Sequence, residues 1–208
     1  TAGDWSDEAA ASRTRTPFVM PLDLHFRFPN TPRVSGAFPD VFDDHFATDA
    51  VAVAEPLRTY VGDPALIGYF LTNEPSVSWQ MLDERHGIAE AMLLKTQGGA
   101  SRLALADWLL GRYGEESRLA TAWGIPLTLA ELRQGTWAHP LTPAAQADLT
   151  EFSTVMLARL IATVSDACRK VLPHHLNLGI RWWSFPPKWA LRAMTACDVF
   201  SFNCYQIR

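Results

Sequence analysis

The hydrophobic residues of this chain form short unbroken runs that are separated by long stretches with helical spacing. Residues 65–72 are almost entirely apolar and do not alternate, which is typical of a strand buried on both faces of a parallel sheet. Residues 17–26, 176–181 and 198–205 predict three further strands. The sequence therefore predicts four strands of a small buried sheet.

Loops and a first helix are predicted before the run at residues 65–72. Residues 1–16 are polar, and residues 27–44 contain several prolines, so both segments predict loops. Apolar residues recur at helical spacing over residues 45–60, which predicts a helix. Asp43 or Asp44 is the expected N-cap of that helix, because aspartate oxygens accept hydrogen bonds from the first free backbone N–H groups.

A long helical region follows, and residues 80–172 are expected to be largely helical. Gly114 ends a first stripe, residues 117–132 form a shorter helical segment, and Pro173 stops the last helix. Residues 188–197 predict a short helix between the last two strands. The two clearest stripes are Leu103, Ala106, Leu109, Leu110 and Tyr113, and then Leu149, Phe152, Met156, Leu160, Val164, Ala167, Cys168 and Val171.

The predicted elements alternate as strand, helix, strand, helices, strand, helix and strand. This order is typical of parallel βα units and predicts an α/β fold. The stretch between residues 72 and 176 is too long for one crossover helix. We therefore expect a helical insertion, at residues 80–145, in the loop that follows a strand.

Composition excludes several classes of function. The 208 residues are 48% hydrophobic and 19% charged, which predicts a folded domain. A formal net charge of −4 without a basic cluster argues against a nucleic-acid partner, and no apolar run has the length of a membrane span. The cysteines, which number 3, are scattered and are expected to be buried thiols, and no residue spacing indicates a metal site.

The chain is rich in tryptophan, with 8 residues of this type. We expect Trp108 and Trp123 to pack in the core. Sugar-binding clefts also use flat aromatic faces against pyranose rings, so the excess of tryptophan is compatible with a carbohydrate partner without proving one.

The most informative local signal is the tripeptide Asn73-Glu74-Pro75, which follows a buried strand directly. In parallel barrels the active site lies at the carboxyl ends of the strands, so a carboxylate at this position is placed where chemistry occurs. The alternative is a simple turn with an exposed glutamate. The position after an unbroken apolar strand favours the functional interpretation.

Residues 66–74 resemble the acid/base strand of the clan A glycoside hydrolases, in particular the family 50 β-agarases and the family 42 β-galactosidases. Further segments resemble these families in the expected order, namely residues 38–43, 106–109, 118–124, 178–181 and 198–203. The resemblance implies a TIM (β/α)₈ barrel, of which residues 1–208 would form part. The four predicted strands would be about strands 3 to 6, with the insertion after strand 4.

The resemblance also implies roles for individual residues in a retaining mechanism that needs no organic cofactor. Glu74 would be the general acid/base, and Asn73 would hydrogen-bond the 2-hydroxyl of the sugar. Tyr205 would hydrogen-bond the nucleophile, although a packing role at the end of a strand is an equal alternative. Six further residues are candidates for substrate binding, each with a structural role as the alternative: His25, Trp79, Arg181, Trp182, Trp183 and Asn203.

The nucleophile of the clan is a glutamate at the end of strand seven, and no glutamate follows Glu151 in this chain. We therefore expect the chain to be a partial catalytic domain, inactive alone, from a hydrolase that cleaves β-galactosidic bonds in agarose-like poly- or oligosaccharides. A β-galactosidase acting on small oligosaccharides and a non-catalytic carbohydrate-binding protein are the alternatives. A plain α/β scaffold, in which Asn73-Glu74-Pro75 is only a turn, is a third.

Overall fold

The computed structural model describes residues 6–24, 27–75, 87–95, 98–135 and 137–204. Strands and helices alternate along most of this length. The strands are β1 (Phe18–Pro21), β2 (Arg33–Ser35), β3 (Phe38–Pro39), β4 (Leu66–Phe70), β5 (Thr72–Asn73), β6 (Leu176–Asn177), β7 (Ile180–Trp182) and β8 (Ser201–Phe202). The helices are α1 (Glu8–Thr14), α2 (Phe46–Ala54), α3 (Gly87–Lys95), α4 (Ala100–Tyr113), α5 (Glu116–Trp123), α6 (Leu129–Gln134), α7 (Pro143–Val171) and α8 (Lys188–Ala193), and α2 and α8 continue into 3₁₀ turns.

The main strands are all parallel and form two three-stranded sets. β1 pairs with β4 and β4 with β6, while β5 pairs with β7 and β7 with β8. Hydrogen bonds bridge the short breaks within these stretches, because Leu178 N donates to Tyr69 O at 2.9 Å and Leu71 N to Gly179 O at 2.8 Å. The predicted α/β class with parallel βα units is thus confirmed.

β4 and β6 approach each other closely at Gly68. A Cβ atom at this position would lie 2.1 Å from Leu176 O, which no real side chain tolerates. Glycine is therefore required here for the two strands to pair.

The long helix α7 contributes a large part of the core. Thr142 caps it, with its hydroxyl accepting from Ala145 N at 3.3 Å, and Pro143 occupies its first turn. It contacts α2, α3 and α8. Its buried stripe matches the predicted one, including Phe152, Met156 and Leu160. The helix begins before the predicted stripe because its first turns also pack on α5.

Three local predictions were wrong. Residues 8–14 form the helix α1, not a loop, since Asp7 accepts from Ala10 N at 2.8 Å and caps it. Residues 27–44 include the antiparallel pair β2–β3. The residue at the N-cap of α2 is His45, which makes no side-chain cap, because the Asp43 carboxylate accepts instead from His45 N at 2.9 Å and from its imidazole at 2.8 Å.

The cysteines agree only partly with the sequence-based prediction. Cys168 is buried, Cys197 is half-buried, and burial raises the pKa of both thiols to about 12. Cys204 is exposed, contrary to the prediction, because it follows the end of β8. Trp123 is buried as expected, and Trp108 packs against the core with its ring 5.6 Å from that of Phe152.

A buried arginine ties the central helices together. Arg102 on α4 donates from Nε to Leu132 O at 2.8 Å, from Nη1 to Leu93 O at 3.0 Å and from Nη2 to Glu131 O at 2.7 Å. These carbonyls lie towards the ends of α3 and α6. None of the helices in the described part of the chain combines the length and the hydropathy needed to span a membrane.

A buried aspartate on α2 organises the loop that precedes β2. The Asp49 carboxylate accepts from Asn30 N at 3.0 Å, Asn30 Nδ2 at 2.8 Å, Thr31 N at 2.9 Å and Thr31 Oγ1 at 2.7 Å. Burial acts to raise the pKa of Asp49, but these donors outweigh it and hold the pKa below its ordinary value. The ionised carboxylate therefore stabilises the folded state.

We predict that Asp49→Ala lowers the free energy of unfolding by about 2–3 kcal/mol at neutral pH, because it leaves buried donors without an acceptor. Because the folded pKa is lowered, the stabilising contribution is complete above the unfolded pKa of about 4 and is lost as the pH falls below it. Urea unfolding at pH 7 and pH 3 measures this difference. The exposed Asp44→Ala is the matched control, and equal losses for both variants at pH 7 would contradict the prediction.

Candidate active site

Three neighbouring parallel strands end at the same edge of the sheet. Thr72 and Asn73 pair with Ile180 and Arg181, and Arg181 and Trp182 pair in turn with Ser201 and Phe202. The residues that follow these pairs are Glu74, Trp183 and Asn203. The register therefore brings together the candidate acid/base and two of the predicted substrate-binding residues.

Glu74 adopts an unusual backbone conformation at this edge. Its φ of +47° lies in the left-handed region, where a residue with a Cβ is disfavoured. The turn is held by Glu74 N, which donates to Arg181 O at 2.8 Å across β5 and β7. A strained residue of this kind is a common feature of functional sites, because the surrounding structure must maintain it.

The Glu74 side chain is half-buried, and its carboxylate accepts a hydrogen bond on Oε1 from Asn203 Nδ2. The simple turn with an exposed glutamate does not describe this arrangement. Asn203 is held on its own side by a backbone hydrogen bond from its N to Trp182 O at 2.6 Å, and the residue is only 9% exposed. The sequence indicated Asn203 as a substrate contact but did not predict its contact with Glu74.

Asn73 presents a polar atom in need of a partner. Its Oδ1 atom is buried and has no hydrogen-bond partner in the described part of the chain. Buried acceptors without a donor are rare in folded proteins because they lose their hydration, and a ligand often supplies the missing donor. The hydroxyl of a bound sugar is a donor of the required type.

The two adjacent tryptophans occupy different environments. Trp182 is 2% exposed, and its Nε1 donates to Met194 Sδ at 3.1 Å in the turn that follows α8. Its indole therefore packs in the core and presents no free face to a sugar. Trp183 is 57% exposed at the end of β7, and Arg181 is half-buried beside Glu74. The predicted sites at His25, Trp79 and Tyr205 lie outside the described residues.

The alternation of side chains along β8 is the sequence pattern that bears on the position of Asn203. Side chains two residues apart share a face of a strand, so Ser201 and Asn203 point one way while Phe200 and Phe202 point the other. Ser201 Oγ donates to Leu178 O at 3.1 Å, and Phe200 and Phe202 contact Phe185 at centroid distances of 5.7 and 5.8 Å.

Over the described ranges, no three histidine, cysteine or acidic side chains converge in a way that could hold a metal ion.

Gly179 allows the bend between β6 and β7 that leads into the site. Its φ is +72°, and a Cβ atom there would lie 3.0 Å from Cys197 Sγ, 3.1 Å from Met194 Cε and 3.1 Å from Val199 O. Only glycine adopts this conformation readily in so little space. The backbone of Arg181, which anchors Glu74, depends on this bend.

We predict that Gly179→Ala lowers the free energy of unfolding by about 1–3 kcal/mol, because it adds backbone strain and crowds the neighbours of Gly179. Gly111→Ala is the matched control, since Gly111 lies in α4 with open space around its missing Cβ. That variant is expected to gain about 0.5–1 kcal/mol of stability from helix propensity. Urea unfolding measures both, and a change of the same sign in the two variants would contradict the assignment.

The chain is similar to curated β-agarases along almost all of its length, whereas no family model matches it. It is 26% identical over 216 residues to beta-agarase B of Vibrio sp. (strain JT0107), covering 99% of this chain and 23% of that protein. It is 27% identical over 226 residues to beta-agarase A of the same strain, covering 99% and 22%. The chain thus spans less than a quarter of the length of these relatives.

Solved structures show the same relationship. An exo-beta-agarase superposes with a TM-score of 0.80 at 27% identity, covering 99% of this chain and 29% of that one. A cold-adapted beta-galactosidase from Rahnella sp. R3 has a TM-score of 0.53 at 15% identity, covering 91% and 29%, which shows a likeness of fold alone. The resemblance to β-agarases that residues 66–74 indicated is confirmed.

Proposed function

We propose that the protein carrying this chain is a retaining glycoside hydrolase that cleaves β-galactosidic bonds in agarose-like poly- or oligosaccharides, with Glu74 as the general acid/base. The observation on which this rests is the half-buried Glu74 carboxylate at the common carboxyl edge of parallel strands. The chain that contains it aligns with β-agarases over 99% of its length.

We further propose that residues 1–208 form part of one TIM (β/α)₈ catalytic barrel. The parallel stretches at residues 18–21, 66–73, 176–182 and 201–202 would be strands 3 to 6 of that barrel. The helices within residues 80–145, which Arg102 joins, would be an insertion in the loop after strand 4. The nucleophile would be a glutamate supplied by a later strand outside this chain.

The proposed mechanism is a double displacement. Glu74 protonates the leaving glycosidic oxygen while a second carboxylate, about 5–5.5 Å away, attacks the anomeric carbon and forms a glycosyl ester. The ionised Glu74 then removes a proton from water, which attacks the same carbon, releases the carboxylate and regenerates the starting configuration. Asn73 Oδ1, which is buried and has no donor among the described residues, is suited to accept from the sugar 2-hydroxyl.

The remaining residues have supporting roles in this proposal. Trp183, which is 57% exposed, is proposed to stack on a sugar ring, and Arg181 lies beside Glu74. Tyr205 remains proposed as a partner of the nucleophile, and Trp79 and His25 as substrate contacts. Trp182 is not proposed as a substrate contact, because its indole is buried in the core.

A β-galactosidase that acts on small oligosaccharides is the second candidate, favoured by the structural likeness to the Rahnella enzyme. The agarose-like substrate is preferred because the relatives matched by sequence are β-agarases. Relative kcat/KM values for agarose-derived oligosaccharides and for lactose distinguish the two candidates.

We predict that Glu74→Gln in the complete protein lowers kcat on an agarose-derived oligosaccharide about 10²–10⁴-fold, because the substituted side chain cannot donate the proton. Glu74→Ala should lose less activity on a nitrophenyl glycoside, whose leaving group needs little protonation. Added azide should restore turnover of that substrate and give a glycosyl azide of retained configuration, because azide attacks the glycosyl ester without a general base.

Glu151→Gln is the control for these measurements. Glu151 forms an exposed ion pair with Arg192 at 2.9 Å, on the long helix α7 and remote in sequence from the strand ends. Its substitution should leave kcat within about twofold of the unsubstituted protein, as is usual for exposed ion pairs. Wild-type kcat in Glu74→Gln, or a glycosyl azide of inverted configuration, would contradict the proposed mechanism.

A further inference from the structure

The contact between Asn203 and Glu74 joins two residues that are far apart in sequence but close at the sheet edge. They follow β8 and β5, which flank β7 on its two sides. The Asn203 backbone is fixed to Trp182 O and the Glu74 backbone to Arg181 O, so both side chains are anchored on β7. Their hydrogen bond therefore depends on the register of three strands rather than on chance contact at the surface.

The chemistry of the two groups determines which of them donates the hydrogen bond. The atom of Asn203 that faces Glu74 is the amide nitrogen, which donates and cannot accept. The Oε1 atom of Glu74 must then present a lone pair towards it. A proton on Oε1 would compete with the amide hydrogens for that position, so a protonated Glu74 holds its proton on Oε2 when the contact is intact.

We propose that Asn203 is a positioning residue for the acid/base step, which fixes Oε1 as the accepting oxygen and so directs the acidic proton of Glu74 from Oε2 to the glycosidic oxygen. This inference rests on the proposed function of Glu74. It assigns Asn203 to the acid/base rather than to the substrate. It also gives a reason for the burial of an amide beside a group that must change its charge during the reaction.

Two consequences follow when the amide is removed. The carboxylate turns more freely, so fewer molecules hold the proton in the reactive direction and kcat falls. The ionised form of the carboxylate also loses a donor that favours it, so the acid stays protonated to higher pH. The alkaline limb of the pH–activity profile should therefore move upwards, which the loss of a substrate contact alone would not cause.

The experiment compares the pH dependence of kcat and kcat/KM for the complete protein and its variants Asn203→Ala and Asn203→Asp. The substrate is an agarose-derived oligosaccharide. For Asn203→Ala we expect kcat to fall about 10–100-fold, a loss of the size reported for mispositioned groups, with KM nearly unchanged. The alkaline limb should move to higher pH.

Asn203→Asp keeps the shape of the side chain but replaces the donor by a carboxylate, which guards against a loss of folding in the alanine variant. The like charge next to Glu74 should move the alkaline limb further upwards than alanine does. Ser201→Ala is the matched control, because Ser201 lies on the same face of β8 and bonds Leu178 O rather than Glu74. Its pH profile should be that of the unsubstituted protein.

An alkaline limb that stays in place in both Asn203 variants, with the loss confined to KM, would overturn the inference and make Asn203 a substrate contact. A limb that moves downwards would overturn it as well, since that result requires the amide oxygen to face a protonated Glu74. Failure of the proposed function is distinguishable from both, because Glu74→Gln would then retain full activity.

Discussion

The arrangement of the site depends above all on the parallel register of β5, β7 and β8. That register sets Asn73 against Arg181 and Trp182 against Phe202, and it places the next residues at one edge of the sheet. It is possible because Gly68 lets β6 approach β4, and because Gly179 bends the chain into β7. A shift by one residue would turn Asn203 to the opposite face and remove the donor from the Glu74 carboxylate.

The helical layer maintains this register from outside. α7 packs against α2, α3 and α8, so a single long apolar stripe connects these helices. Its Ser165 hydroxyl also accepts from Asn177 Nδ2 of β6 at 2.7 Å. Buried polar side chains link the helices of this layer through further hydrogen bonds. Asp148 accepts from Tyr113 OH at 2.6 Å and Trp123 Nε1 at 2.7 Å, and Arg102 meets carbonyls of two other helices. Such groups fix the helices in place because any other packing would leave them unpaired.

The sequence predicted the elements that periodicity determines and missed those that depend on partners distant in the chain. The buried run at residues 65–72 and the stripe of α7 were sufficient to predict strand, helix and the position of Glu74. The predicted N-cap of α2 was wrong because the Asp43 carboxylate accepts hydrogen bonds from His45 and does not cap the helix. The core position of Trp182 depends on Met194, and the pairing of Asn203 with Glu74 depends on strand register. The contact of Trp182 leaves no signal in local spacing, and the alternation along β8 indicates which residues share a face with Asn203 but not that Glu74 is its partner.

We propose that Glu74 delivers a proton to a glycosidic oxygen at this edge of the sheet. The most direct measurement is a crystal structure of the complete protein carrying Glu74→Gln, with an uncleaved agarose-derived oligosaccharide bound. We expect a glycosidic oxygen within about 3 Å of the side-chain amide at position 74, which is hydrogen-bonding distance. An oligosaccharide bound with every glycosidic oxygen out of reach of that side chain would show that Glu74 is not the proton donor.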